Sequence, residues 1–382
     1  MEVLRPVTSH YFHFNCYSPL DAQLAVSIQG AAVRVEASPS AEPSELLEEH
    51  ADILADPATG SPVTVRGGAF MVAETGRTIG LSDGIPNLFV PAEFPPGKGI
   101  EDVTDLVKAF YEDTPFPNYD EFDSRESLAT KARRGVFASL LDEQLPEGAL
   151  VLEAGCGTGQ LSNFLGMSWK RKVFAGDICL NSLRLAKGFA DRHLIRNVAF
   201  VQMNLFRPPF RDGVFDVVIS NGVLHHTGDC EGGFRAILRK LKPGGLILVG
   251  LYNSYGRLPT LWKRWLFRTF GPKLYFLDPR LRDWGKEPER VKAWFMDQYR
   301  HPHETKHSMD EVLRWFEKYD VDFVNGIPHL DGSRFEASEK LFATHDPGTA
   351  TSRAITQFGM LLSGGRDGAL YIMIGRKREA QK

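Results

Sequence analysis

The chain has 382 residues, 43% of them hydrophobic, and a formal net charge of −3. That is enough apolar material for a large core in roughly two or three domains, and the near-neutral charge excludes a general attraction to nucleic acid or anionic membrane. Four cysteines, Cys16, Cys156, Cys179 and Cys230, stand without CxxC spacing, which excludes a zinc knuckle or disulfide framework and points to a reducing compartment. The first thirty residues have no basic start followed by an apolar core, and no apolar run in the chain approaches about twenty residues. The expectation is a cytoplasmic protein without a transmembrane segment. Within 1–44, the alternating stretches YFHFNCY and AVSIQGAAVRVEA predict a small β-hairpin before a Ser/Pro/Glu linker.

Residues 45–92 predict a small β-rich domain: helix ELLEEHADIL, turn DPATG, strands around PVTVRG, GAFMVAE and TIGLS, then DGIPNLF. A structural zinc takes about four thiolate or imidazole ligands, and this stretch offers only His50 and Asp56, so a metal-free unit is expected. Residues 93–125 follow as a Pro/Gly linker, PAEFPPGKGI, and a helix. In that helix Val103, Leu106, Val107 and Phe110 share a face, and Pro115 and Pro117 end it.

From residue 126 to 382 strands and helices alternate, the pattern of a parallel sheet covered on both faces. Helix SLATKARRGVFASLLDEQL leads into LVLEAGCGTG, a buried strand followed by a turn with glycine at 155, 157 and 159. Glycine there lets backbone approach a ligand, but the GxGxG spacing after Glu153 differs from the dinucleotide fingerprint, whose third glycine comes three residues after the second. The second strand ends at Asp177, about twenty residues on, where an acid can accept both hydroxyls of a ribose. Alone, a strand-end Asp is more often a helix cap. Asn204 and Leu205 follow the third strand. Asn221, Gly222 and VLHHTGD close the fourth, at the end of a doubly wound sheet where ligands bind. LRKLKPGGLILVGLYN gives a helix, a turn and the fifth strand. An insertion, 252–308, carries LPTLWKRWLFRTFG with Leu261, Trp262, Trp265, Leu266 and Phe270 beside Lys263, Arg264 and Arg268. Such a helix suits a membrane surface, RNA or, more commonly, packing with its charges outward. MDEVLRWFEKY, VDFVNGI and GALYIMIGRKR predict a last helix and a closing hairpin, and 329–367 reads as a Gly-rich loop without evident chemistry.

These motifs, in this order, resemble class I S-adenosylmethionine (SAM) methyltransferases, with NGVLHHT similar to the small-molecule, type 11 branch. The resemblance implies a doubly wound, seven-stranded Rossmann-like α/β sheet over 126–382, and the insertion, which leaves the carboxyl end of that sheet, is expected to cap the acceptor pocket. It implies SAM as cofactor, held by Glu153, Gly155, Cys156, Gly157, Gly159, Asp177, Ile178, Asn204, Leu205 and Asn221. Asn204 stands where the family has an Asp that accepts from the adenine amine, and an amide oxygen accepts more weakly. Tyr111, Phe116 and Tyr119 are implied as lid residues. The stretch ILADPATGSPV with DGIPNLFV resembles the zinc-ribbon activators of RNA and release-factor methyltransferases, with Asp56 in place of their first cysteine. No (Asp/Asn)-Pro-Pro-(Tyr/Phe) motif follows the fourth strand, and RPPF at 207–210 precedes it, so amide or base amines are not the expected acceptors.

Methyl transfer needs in-line positioning and, for a hydroxyl acceptor, a base. No metal is required, and none is expected. HxHxxxH at His301, His303 and His307 has ligand-like spacing, but loop histidines are usually only polar. The base candidates are His225, His226, His301 and His303, with Glu304 as an orienting partner. From an extended segment, at most one of the adjacent pair His225 and His226 faces the pocket. The expected activity is O- or C-methylation of a small molecule, lipophilic ones included. Two alternatives stand beside it: a methyltransferase of RNA or a translation factor, and a catalytically silent SAM-binding scaffold.

Overall fold

The structure, a computed structural model, describes residues 42–92, 103–113, 115, 119, 123–278, 281–282, 288–336, 338–362 and 369–379. The predicted hairpin within 1–44, residues 93–102 of the linker, and Phe116 lie outside these residues.

Residues 45–88 begin with α1 (Glu45–Glu49), where a continuous helix to Leu54 is predicted; the chain instead turns at His50 into a short 3-10 segment, Ala51–Ile53. Two antiparallel hairpins follow, β1 (Val63–Arg66) with β2 (Ala69–Val72) and β3 (Leu81–Ser82) with β4 (Ile85–Pro86). This segment packs onto the main sheet: Leu47, Leu54, Val63 and Phe70 share one buried cluster with Leu152, Phe174 and Phe215. Asp56 is buried, and its carboxylate accepts from Arg77 at 2.7 Å and from Thr59 at 3.0 Å.

After α2 (Thr104–Asp113) the chain forms α3 (Arg125–Arg134) and α4 (Phe137–Gln144), where the sequence predicts one helix. The break falls at Gly135 and Val136. Val136 has φ +43°, a conformation that costs a β-branched residue and has to be held by its surroundings. Its neighbours Gly135 and Phe137 line the main cavity, so the interruption brings backbone to that wall.

The core is a seven-stranded sheet built from β5 (Ala149–Ala154), β6 (Arg171–Asp177), β7 (Val198–Gln202), β8 (Phe215–Asn221), β9 (Leu241–Tyr252), β10 (Val321–Ile327) and β11 (Leu370–Lys377). Its order is β10-β11-β9-β8-β5-β6-β7, with β11 antiparallel to both neighbours and all other pairs parallel. β5 and β8 are almost wholly buried, as strands covered on both faces must be. Helices α5 (Gln160–Gly166), α6 (Leu180–Arg192) and α7 (Cys230–Leu238) connect them. β7 is an edge strand, and the N-terminal segment covers it: Asn87 bridges Gln202, and the Leu88 N–H donates to the Gln202 carbonyl at 3.0 Å.

The insertion forms α8 (Leu258–Phe270), a 3-10 segment (Gly271–Leu277), α9 (Pro288–Phe295) and a π turn, Met296–Arg300. Its apolar face is not the single stripe predicted. Leu266 and Phe267 pack inward, while Trp262, Trp265 and Phe270 stand exposed, and Arg264 turns in to reach the Gln298 carbonyl at 2.7 Å. α10 (Met309–Lys318), β10, α11 (Ala350–Leu362) and β11 complete the chain. No helix of the described residues is long and apolar enough to cross a membrane.

Candidate active site

A cavity of about 220 Å³ opens at the carboxyl ends of β5, β6 and β8, under α2 and the π turn. One end is made by the glycine turn. Gly155 has φ +83°, and a Cβ there would stand 2.4 Å from Val223 Cγ1; Gly159, at φ +70°, starts α5 and would meet Ala186 at 2.7 Å. Only glycine satisfies both conditions, which is why the GxGxG spacing is readable from sequence. Asp177 ties this turn to β6: its carboxylate accepts from the Gly157 N–H at 2.8 Å and the Cys179 N–H at 2.9 Å. Burial raises its pKa against those two bonds. Glu153, also buried, accepts from the Ser162 hydroxyl, and burial pushes its carboxyl up to about 8. Cys156, Ile178, Leu205 and Asn221 complete this wall. Asn221 lies over Gly250, where a Cβ would come within 1.9 Å of its Oδ1, and that oxygen is buried without a hydrogen-bond partner.

Asn204 lines the cavity, yet its amide is engaged elsewhere. Nδ2 donates to the Val90 carbonyl at 3.1 Å and Oδ1 accepts from the Phe206 N–H at 3.0 Å. The amide therefore fastens the N-terminal segment to the end of β7, which qualifies the expectation that it reads adenine.

The other end of the cavity is assembled from distant parts of the chain. Tyr111 on α2 donates to Asp297 Oδ1 at 3.2 Å. Gln298 Nε2 donates to Asp297 Oδ2 at 2.7 Å and to the Tyr252 hydroxyl at 2.8 Å, and Gln298 Oε1 accepts from Arg257 at 2.6 Å. Arg257, fully buried, makes a two-pronged pair with Glu304 at 2.9 and 2.6 Å and lies 3.8 Å above the Tyr252 ring. Burial would raise the Glu304 pKa, but the Arg257 and Arg264 guanidinium groups hold it down at about 2. Asp297 has no such direct partner, and burial raises its carboxyl pKa. Glu304 is thus committed to arginines and does not orient a histidine ring, contrary to the sequence expectation. Tyr252, Arg257, Asp297 and Gln298 were not singled out from sequence, since nothing local joins residues so far apart.

Of the four candidate bases only His226 lines the cavity. Leu224–His226 is a 3-10 turn, not an extended segment; the two adjacent rings lie 4.2 Å apart, and of the pair only His226 lines the cavity. His226 Nδ1 bonds the His303 carbonyl at 3.0 Å, so Nδ1 carries the proton and Nε2 keeps the lone pair. Burial holds this imidazole well below its usual pKa, so it is neutral at pH 7. His225 packs 4.0 Å from the Tyr252 ring, is fully buried, and has neither ring nitrogen hydrogen-bonded. The His301 ring lies 3.7 Å from that of His226, tilted by 33°, and burial lowers its pKa to about 2. His303 turns its ring to the Thr227 carbonyl at 3.1 Å. His307 bonds Glu311 and Thr305, so the HxHxxxH histidines do not converge.

Among the lid candidates Tyr111 lines the cavity, whereas Tyr119 does not. Its ring stacks on Phe189 at 4.5 Å and its hydroxyl accepts from Asn163 at 2.9 Å, so it is a packing residue of α5 and α6. α2 is held over the cavity by Glu112, whose carboxylate accepts from the Leu180 and Asn181 N–H groups at 3.0 and 3.2 Å, at the N-terminus of α6.

Residues 152–249 match the sequence profile of a family described as a methyltransferase domain. An uncharacterized protein of Synechococcus sp. is 28% identical over 225 residues, 51% of this chain and 52% of that protein. A demethylmenaquinone methyltransferase of Lactococcus lactis subsp. lactis is 36% identical over 116 residues, 29% of this chain and 45% of that one. The chain thus spans about half the length of the curated relatives it matches. Among solved structures, geranyl diphosphate C-methyltransferase from Streptomyces coelicolor A3(2), in complex with Mg2+, geranyl diphosphate and S-adenosyl-L-homocysteine, is 16% identical. It covers 74% of this chain and 100% of that one at a TM-score of 0.42. Residues 152–249 thus match a methyltransferase-domain family, and they lie within the seven-stranded, mostly parallel sheet expected of a class I methyltransferase.

Proposed function

We propose that this protein transfers the methyl group of SAM to an oxygen or carbon of a small, lipophilic acceptor. The observation that carries the reading is one continuous cavity with two unlike ends, the glycine turn with Asp177 at one and His226, Tyr252 and Asp297 at the other. In this reading Asp177 accepts from the ribose, and the turn from Glu153 to Gly159, with Asn221, faces the methionine end. Ile178, Asn204 and Leu205 flank the adenine. The acceptor lies against Val103, Val107, Tyr111 and Leu370, where apolar side chains dominate the lining. A hydroxyl acceptor gives its proton to His226 Nε2, the one cavity-lining imidazole with its lone pair available. Asp297 is placed to hold a polar group of the acceptor. The exposed Trp262, Trp265 and Phe270 on α8 suit an acceptor delivered from an apolar surface. We read residues 45–92 as a metal-free brace that covers the edge of β7 and fixes Asn204.

The test is labelled SAM added with the purified protein to cell extract, followed by separation into solvent-extractable, RNA and protein fractions. Label is expected in the solvent-extractable fraction. Label in RNA or protein would establish the rival acceptor class, and SAM binding with no label anywhere would leave a silent scaffold.

A further inference from the structure

Outside the methyltransferase cavity, the segment between β10 and α11 brings together two imidazoles and a carboxylate: His329, Glu339 and His345. Their ligating atoms all lie within 4.8 Å of one another, and none of the three lines the cavity. We propose that they bind one divalent first-row transition ion of the zinc type.

The geometry of His329 carries the proposal. Its residue is 4% exposed. Nδ1 lies 2.8 Å from Ser333 Oγ, and Ser333 in turn donates its only hydroxyl hydrogen to Asp331 at 2.6 Å. The proton between His329 and Ser333 therefore sits on Nδ1, and in the neutral ring Nε2 is a bare lone pair. That nitrogen has no hydrogen-bond partner and stands 3.5 Å from Glu339 Oε2, an acceptor facing an acceptor in a buried place. A cation between them resolves the conflict. A His ring whose second nitrogen donates to an outer polar group is also the arrangement that fixes metal-binding imidazoles.

Spacing agrees. Zinc bonds of about 2.0 to 2.1 Å in a tetrahedron place neighbouring ligand atoms roughly 3.3 Å apart. Here Glu339 Oε1 is 2.9 Å from His345 Nε2 and Oε2 is 3.5 Å from His329 Nε2, so small rotations suffice. A simple ion pair of His345 with Glu339 accounts for Oε1 and leaves His329 unexplained.

The backbones are already anchored. The Glu339 carbonyl accepts from Gln144 Nε2 at 2.7 Å, and the His345 N–H donates to the Val324 carbonyl at 2.7 Å. Two nitrogens and one oxygen suit zinc, cobalt or nickel ahead of magnesium or calcium. The partly exposed His345 gives the ion access, and the fourth position falls to water. The ion pins the 328–345 segment to α4 and β10. The proposal departs from the expectation of a metal-free protein, which rested on Asp56 and the absence of CxxC pairs.

The test is full-length protein stripped with chelator and titrated with Zn2+ by calorimetry, with Co2+ absorption as a second reading. One ion per chain is expected, together with a zinc-dependent rise in melting temperature. His345→Ala and Glu339→Gln, whose folds are checked by circular dichroism, should each weaken binding by about a hundredfold or more, and Ser333→Ala by roughly tenfold. His303→Ala should bind as the unaltered protein does. Absence of binding, or unchanged binding in both His345→Ala and Glu339→Gln, would overturn the proposal.

Discussion

The two ends of the cavity are built in different ways. The glycine-turn end is mostly backbone: positive-φ glycines, strand ends, and a carboxylate that accepts from two main-chain N–H groups within one βαβ unit. The opposite end is a side-chain network, Tyr111–Asp297–Gln298–Tyr252 and Arg257–Glu304, gathered from α2, β9, the start of α8, the π turn and the segment after it. A backbone site follows from local spacing and tolerates changes around it. A network of buried polar side chains holds only while every partner is present. On the proposed function, the glycine-turn end is suited to one constant ligand, and the network end is the part a change of acceptor would have to rebuild.

Arg257→Ala should have the largest effect on this contrast. It leaves Glu304 buried with only Arg264, and removing one partner of a buried pair costs about 3 kcal/mol or more. Urea unfolding reads this directly, and a loss under about 1 kcal/mol would mean that the network end is not held by its ion pair. Next, His226→Gln should reduce turnover on a hydroxyl acceptor about a hundredfold while SAM affinity stays within a factor of about two. Because burial depresses the His226 pKa, the basic form persists on acidification, so the acid limb of the unaltered enzyme should lie well below the ordinary imidazole value of about 6.5. A limb at or above about 6.5 would assign the base elsewhere.

A smaller effect concerns Glu153. Its carboxyl, pushed up to about 8, is largely protonated at pH 7, and a cationic ligand such as SAM would favour its ionised form. SAM affinity should then rise with pH, by up to about tenfold per unit, and level off above about 8. Glu153→Gln should flatten that slope, and a slope kept in the variant would place the titrating group elsewhere. Smallest is Asn204→Ala, expected to cost about 1 kcal/mol of stability through its bonds to Val90 and Phe206. If SAM affinity falls instead and stability does not, Asn204 reads adenine and is not a brace.

Legibility in the sequence followed the same division. The alternation of strands and helices, the glycine turn and the strand-end acid depend on local period and spacing, and all of them correspond to features of the sheet. The α3–α4 break was hidden because Gly135 within an apolar helical pattern is normally tolerated, and only the cavity wall explains its place. His225 and His226 could not be told apart, since a short 3-10 turn leaves no periodic signal. Tyr119 resembled a lid residue and proved to be packed on Phe189, because aromatic residues near prolines look alike in either role. His329, Glu339 and His345 carry no motif spacing at all, and only the return of the chain along β10 brings them together.

The most direct measurement is calorimetric titration of SAM into two variants, Asp177→Ala and Asp297→Asn, with methyl transfer followed in parallel. If the cavity has a cofactor end and an acceptor end, Asp177→Ala loses about 2 kcal/mol of SAM affinity, roughly thirtyfold, while Asp297→Asn binds SAM normally and loses transfer. Unchanged SAM affinity in Asp177→Ala, or an equal loss of affinity in both variants, would contradict the division.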